Sequence, residues 1–275
     1  MSRRAPAGPR PKKRFGQHFL SDTNILNRIV DAAELTPGES VIEVGPGLGA
    51  LTATLAERGA RVVAVEVDRD LIAALRERFA AAPAVVIVEA DVLDRSPAEL
   101  LAAGGLAAPY AVVANLPYNI AAPALRHFLE SETPPRCLVV MVQLEVAESI
   151  CSRPPHLTLL GAATQLYADA RMVMRVAPGA FHPPPKVQSA VVRLDVLARP
   201  RVDVPVDAFF RIVRAGFGNP RKQLRNSLSF GLHVKQEVID AVMSAAGIDV
   251  TRRPQALSLD DWAAVARAWL ARPQP

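Results

Sequence analysis

An open, doubly wound α/β sheet followed by a small all-α C-terminal domain is the fold that this 275-residue sequence predicts. Two patterns carry the prediction. Five short β-branched runs, "SVIEVG" (40–45), "RVVAVEVD" (61–68), "AVVIVEAD" (84–91), "YAVVAN" (110–115) and "CLVVMVQ" (137–143), alternate with helical stretches such as "ALTATLAERG" and "DLIAALRERFAAA". Strand and helix repeated in this way describe a mainly parallel sheet buried on both faces. After about residue 200 the strands stop, and "VDAFFRIVRAGFG", "RKQLRNSLSFGL", "KQEVIDAVMSAAG" and "SLDDWAAVARAWLA" read as helices.

The elements follow in order. Residues 1–14 are Pro- and Arg-rich without large apolar side chains, which predicts a disordered basic tail. Ile25, Leu26, Ile29 and Val30 recur at helical spacing behind a Ser-Asp-Thr start signal, so 22–33 is a helix. After the fifth strand, "TLLGAATQLYADARMVMRV" and "SAVVRLDVL" suggest a helix and closing strands, the last antiparallel. "VAPGAFHPPPKV" between them reads as a rigid loop, because its prolines oppose regular structure. The boundary falls in the Pro-punctuated "LARPRVDVPV", dividing a body at 15–200 from a helical domain at 201–275.

Composition narrows the function. Half of the residues are apolar, enough for a full core, yet no run approaches the roughly 20 residues that span a bilayer, and the N-terminus is basic. A soluble cytoplasmic protein without a membrane partner is expected. Cys137 and Cys151 lack the spacing of a disulfide framework or a zinc site, and His127, His156, His182 and His233 show no metal-binding pattern, so no metal is expected. The net charge of +5 divides unevenly: the first 14 residues carry +6, residues 15–198 carry −6, and the remainder +5. An acidic body between basic ends suits a polyanionic partner, although solvated charged helices would give the same count.

The chemistry gathers at the strand ends. "EVGPGLGALT" (43–52) follows the first strand and opens a helix, with Gly45, Gly47 and Gly49 spaced G-x-G-x-G. Such a loop exposes backbone amides to a ligand, or it is simply a tight turn; a dinucleotide fingerprint would place the third glycine one residue later. Glu66 ends the next strand, where a carboxylate can hold a ribose diol, and Asp91 ends the third, within reach of an adenine amino group. Glycines, a Glu and an Asp on successive strand ends together fit S-adenosylmethionine, whose positive sulfur suits an acidic pocket.

Asn115 opens "NLPYNI" at the end of the fourth strand. By itself this could be a strand-terminating turn; beside the acids it suggests work on an amino group. The Asn115 side-chain oxygen and the Leu116 carbonyl can accept two amino hydrogens, with Pro117 restraining Leu116. Tyr118 and Phe181 can stack on the two faces of a target base taken out of its helix. A nitrogen gaining a methyl group turns acidic, so water can take its proton and no strong base is needed.

"FGQHFL" (15–20), "EVGPGLGALT", "NLPYNI", "FHPPPKVQSAVVRL" (181–194) and "FGNPRKQLRNSL" (217–228), in that order, resemble the small-subunit ribosomal RNA adenine dimethyltransferases over about 14–270. The resemblance implies a Rossmann-like S-adenosylmethionine-dependent methyltransferase sheet with a small helical domain. It implies dimethylation of two adjacent adenosines in a hairpin loop near the 3′ end of 16S rRNA, in the assembling small ribosomal subunit. It places His18, Leu20, Gly45, Gly47, Glu66, Asp91 and Asn115 at the cofactor, and Phe181 near the target adenine.

Two segments depart from the family pattern: Gln143-Leu144-Glu145, where Gln-Lys-Glu is usual, and "HLTLLG" (156–161), where Tyr-Gly-Arg-Leu-Ser is usual. RNA contacts therefore do not carry over there. Arg221, Lys222 and Arg225 are the candidate RNA-binding residues, with Arg221 and Arg225 on one helix face beside a Leu224–Leu228 stripe. Trp262 and Trp269, seven apart, are expected in the C-terminal core. A monomer is expected. The competing functions are a large-subunit rRNA adenine methyltransferase of the macrolide-resistance type and a non-catalytic RNA-binding assembly factor. A nicotinamide oxidoreductase is disfavoured, since "NLPY" offers no acid or base.

Overall fold

The structure is a computed structural model that describes residues 18–272. The tail expected at 1–14 lies outside them. The described chain enters as a two-residue strand, β1 (Phe19–Leu20), and a helix, α1 (Thr23–Ala33). Asp22 caps that helix, its carboxylate accepting from the Asn24 and Ile25 amides. Alternation then follows the sequence pattern closely: β2 (Ser40–Val44), α2 (Ala50–Glu57), β3 (Arg61–Glu66), α3 (Arg69–Arg78), β4 (Val85–Glu89), α4 (Pro97–Ala103), β5 (Tyr110–Asn115), α5 (Ala121–Leu129) and β6 (Cys137–Gln143). Next come α6 (Leu144–Ile150), α7 (Leu159–Gln165), β7 (Ala168–Val176), β8 (Phe181–His182) and β9 (Ser189–Val196).

Seven strands form one sheet in the order β4-β3-β2-β5-β6-β9-β7. The pairs from β4 through β6 are parallel, and β9 runs antiparallel to β6, as "SAVVRLDVL" suggested. Chain order reverses beside β2, which pairs with β3 on one side and β5 on the other. Such a switch point leaves a crevice beyond the carboxyl ends of the strands. Val41, Val62, Ala111, Val113 and Val139 are fully or almost fully buried in a core with Ile29 and Val30 of α1, which explains why these strands read as continuous apolar runs.

The Pro-rich segment departs from its expected irregularity. Phe181 and His182 form β8, antiparallel to β1, with Leu20 opposite Phe181 and Phe19 opposite His182. Neither residue is proline, so both can join a ladder although prolines stand at 178 and 183–185.

The chain divides into two compact units, one running to Ala147 and including Arg171–Val196, the other comprising Glu148–Ala170 and the part from Leu197 on. It thus passes between units three times, where the sequence pattern suggested a single division near 200. The physical reason is packing: Leu157, Ala162 and Leu166 share a core with Phe209, Val213 and Trp262. The helical unit contains α8 (Val206–Phe217), α9 (Leu224–Leu232), α10 (Gln236–Ala246) and α11 (Leu259–Ala271). Trp262 and Trp269 are buried there, as their spacing indicated. The run "RKQLRNSLSFGL" is helical only from Leu224. Arg221 and Lys222 lie in the preceding turn, so Arg221 does not share a helix face with Arg225. Leu224 and Leu228 are buried as expected.

Candidate active site

A cavity of about 330 Å³ opens at the switch point, within the range of small-molecule sites. Its walls come from the ends of β2, β3, β4 and β5 and from the entering segment at β1.

The first wall is the glycine loop. Gly45 and Gly47 have φ of +65° and +59°, in the left-handed region that favours glycine. A Cβ on Gly47 would lie 3.0 Å from the Phe19 ring, and one on Gly45 would lie 3.4 Å from the Pro117 ring. The glycines therefore let the loop sit between two segments far away in sequence. The Gly45 N–H donates to the Val65 carbonyl at 2.9 Å, fastening the loop to β3.

Glu66 ends β3 and is only 6% exposed. Its Oε1 accepts from the Val67 and Asp68 amides, both at 3.0 Å, and its Oε2 from Gly47 at 3.3 Å. Burial raises its pKa, and these bonds to the charged form oppose the rise. With one donor, Oε2 keeps acceptor capacity to spare. Asp91 follows β4, exposed, and accepts from the Leu93 amide at 3.0 Å.

The fourth wall is "NLPY". The Asn115 Nδ2 donates to the His18 carbonyl at 3.2 Å. A carbonyl can only accept, so this bond selects the amide's NH₂ end and turns Oδ1 away as a fixed acceptor. The Leu116 N–H donates to the Met141 carbonyl at 3.1 Å, anchoring the turn to β6. The Tyr118 ring stacks on His18 with centroids 5.7 Å apart, and its hydroxyl shares a 2.8 Å hydrogen bond with Ser189. His18 is held in turn, its Nδ1–H donating to the Pro183 carbonyl at 2.8 Å.

His18, Leu20, Gly45, Gly47, Glu66, Asp91, Asn115, Leu116, Pro117 and Tyr118 all line this one cavity. Phe181 does not. It is 4% exposed and packs in the core, joined to the cavity wall through its pairing with Leu20. In the helical unit, Arg221 and Lys222 are exposed, whereas Arg225 forms a salt bridge with Asp240.

Sequence reasoning missed Glu43, which lines the cavity from β2 at 1% exposure. The available signal was a carboxylate inside a strand that is otherwise apolar on both faces. Ser189 and the β1–β8 clamp were also missed, and no local pattern announces either.

The site's donor set fits a cationic, adenosine-bearing ligand. It combines acids on successive strand ends, a backbone cradle that a Cβ would narrow, and an orphaned buried oxygen, Glu43 Oε2. The comparisons agree with this geometry. A family model described as "Ribosomal RNA adenine dimethylase" matches residues 9–269. "Ribosomal RNA small subunit methyltransferase A" of Dehalococcoides mccartyi is 44% identical over 254 residues, 92% of this chain and 86% of the relative. The protein of the same name from Geobacter metallireducens is 42% identical over 268 residues, 96% and 97% of the two chains. Among solved structures, the 23S rRNA methyltransferase ErmE superposes with a TM-score of 0.71 at 28% identity, covering 91% of this chain and 98% of its own. A dimethyladenosine transferase from Plasmodium falciparum gives 0.74 at 21% identity, covering 90% and 96%, a likeness of fold. The chain belongs to the ribosomal RNA adenine dimethylase family.

Proposed function

We propose that this protein dimethylates the 6-amino groups of two adjacent adenosines in a hairpin loop near the 3′ end of 16S rRNA, using S-adenosylmethionine, as the small ribosomal subunit is assembled. The observation that carries the reading is the "NLPY" turn, with Asn115 oriented by a backbone carbonyl, standing against an acidic, glycine-walled cavity. The choice of the small subunit rests on relatives of that name at 42–44% identity, against 28% for the large-subunit enzyme ErmE.

Glu66, Asp91, the Gly45–Gly47 backbone and the His18–Leu20 segment would hold the cofactor. When bound, S-adenosylmethionine supplies a methyl group activated by positively charged sulfur. The chain's own part is positioning. Asn115 Oδ1 and the Leu116 carbonyl accept the hydrogens of the adenine amino group, which draws its lone pair out of the ring plane and aims it. Pro117 fixes the Leu116 carbonyl. The Tyr118 ring supports the base, after His18 cedes its face of the ring or from the opposite face. Phe181 backs the base from the other side, which requires its ring to turn out of the core. Water takes the released proton, so the site needs no general base.

The unit that runs to Ala147 and includes Arg171–Val196 is read as the methyltransferase domain and the helical unit as the RNA-binding domain, in place of a single division at 200. Arg221 and Lys222 contact phosphates from their turn, and Arg225 joins them by exchanging Asp240 for RNA. The pair is half-exposed, and an RNA phosphate would take the place of the Asp240 carboxylate. The protein is read as a cytoplasmic monomer. Among the described residues no helix is long and apolar enough to cross a membrane.

The test is mass spectrometry of 16S rRNA from cells with and without the gene. Loss of the adjacent dimethyladenosines on deletion, restored by the wild-type gene and not by Asn115→Ala, is the expected result. Their persistence without the gene would overturn the substrate, and restoration by the Asn115 variant would overturn the catalytic reading.

A further inference from the structure

Glu43 is a buried acid that the proposed chemistry does not use. It stands on β2 two residues before Gly45, is 1% exposed, and lines the cavity. Its Oε2 has no hydrogen-bond partner. The groups that bear on it come from three elements: Thr52 of α2, Glu66 of β3 and Arg78 of α3. His18 and Asp91 line the same cavity. Burial is the largest influence and Glu66 adds to it, while Thr52 and Arg78 oppose; the balance lifts the Glu43 pKa to about 8. The Arg78 guanidinium donates to the Leu48 carbonyl and acts on Glu43 through its charge. Thr52 bonds to the Glu43 carboxyl, yet a buried acid with an open acceptor is unfavourable to the fold, and the β2 ladder, where Glu43 stands opposite Ala64, is a backbone pairing that does not require this side chain.

We propose that Glu43 is the specificity-determining residue by which the cavity distinguishes the charged methyl donor from its neutral-sulfur product. The proposal rests on the reading of the cavity as the S-adenosylmethionine site. Burial in the cavity wall favours the protonated form of Glu43 while the cavity is empty. A ligand carrying an additional positive charge favours the carboxylate, and the proton passes to solvent; no bond to the ligand is made or broken. S-adenosylhomocysteine, without the charge on sulfur, leaves Glu43 protonated. The device favours donor over spent product, and release of the product is its consequence.

Linkage gives the sign and size. Below pH 8, ionising Glu43 opposes the proton, so preference for the donor rises with pH by up to about tenfold per unit and levels off above the Glu43 pKa. The experiment is isothermal titration of the full-length protein with S-adenosylmethionine and with S-adenosylhomocysteine at pH 6–8.5. It is done in buffers of differing ionisation heat and repeated with Glu43→Gln. In wild type, the donor should release up to one proton more than the product, and the ratio of their affinities should climb with pH. Glu43→Gln should abolish both differences while still binding the product, since it keeps the shape and removes only the ionisation. The ligands' own amino groups titrate alike in both proteins and cancel in the comparison. Equal proton release by both ligands in wild type overturns the proposal whether or not the variant folds, as does a variant that keeps the donor-specific release. If wild type binds neither ligand, the cofactor reading falls and the proposal with it, an outcome distinct from binding without proton release.

Discussion

Replacing Asn115 by alanine separates positioning from binding. The substitution deletes a half-buried hydrogen bond to the His18 carbonyl, 3.2 Å long, and the acceptor that this bond aims. The bond is worth about 0.5–1.5 kcal/mol net, so folding stability should fall by about 1 kcal/mol. Removing one preorganised polar group from a reacting centre typically lowers kcat about 10²–10³-fold, or about 2.7–4 kcal/mol. Cofactor affinity should fall by at most about tenfold, because of its holders only the His18 segment is bonded to Asn115, while Glu66, Asp91 and the glycine loop are held by bonds that do not pass through it. Asn115→Asp keeps an acceptor and loses the donor, so its kcat should lie between those of wild type and alanine. The assay is single-turnover methyl transfer to small-subunit particles lacking dimethyladenosine, with calorimetric binding of S-adenosylmethionine alongside. A kcat and a cofactor affinity that fall together would assign Asn115 a structural role. An alanine variant within tenfold of wild-type kcat would refute its role as an acceptor.

Three further outcomes follow from the same structure. Tyr118→Phe removes the 2.8 Å bond to buried Ser189 and should lower stability by about 1 kcal/mol while leaving transfer within a few-fold, whereas Tyr118→Ala should lose the supporting ring and most activity; thermal unfolding and kcat separate the two. Gly231→Ala places a Cβ 2.6 Å from the Ala215 backbone, forcing α8 and α9 apart at about 1–3 kcal/mol, read as a lower denaturant midpoint of the helical unit. Glu43 is held neutral in the folded chain, its pKa raised from 4.5 to about 8, so stability is full below pH 4.5 and is lost as pH rises towards 8. Without cofactor, Glu43→Gln should therefore gain on wild type between pH 5 and 8, by on the order of a few kcal/mol, and a gap that stays constant with pH would refute the burial argument.

The sheet was legible because a strand buried on both faces leaves a continuous apolar signature. The runs at 40–45, 61–68, 84–91, 110–115 and 137–143 contain β2 through β6, each to within two residues. The strand-end residues were legible for a related reason: where such a run stops, Glu66, Asp91 and Asn115 stand out as polar. What stayed hidden depends on contacts between distant segments. β1 and β8 are two residues each, too short for any periodicity, and their pairs, Phe19 with His182 and Leu20 with Phe181, form only in the folded chain. The turn at Arg221 and Lys222 was hidden too, because charged residues before a helix match those in its first turn in composition. Glu43 stayed hidden because one acid in the five-residue strand SVIEV does not reveal its burial, which arises from the packing around β2.

Those hidden contacts matter for how the site works. Asn115 is oriented by the backbone of residue 18 and not by its side chain. The position of that backbone is set by the β1–β8 pair and by the Phe19 ring against Gly47. Gly47 also donates to Glu66, so one loop touches both the carboxylate read as holding the ribose and the segment that aims the acceptor. A displacement of the loop by a ligand would reach Asn115 through Phe19 without any direct contact between ligand and amide. Because each of these links is a short contact or a bond to a fixed strand, the walls are preorganised relative to one another, which is the condition under which positioning alone can replace a base. The proline of "NLPY" belongs to the same arrangement, since its ring lies beside Gly45, whose φ of +65° is what favours glycine there.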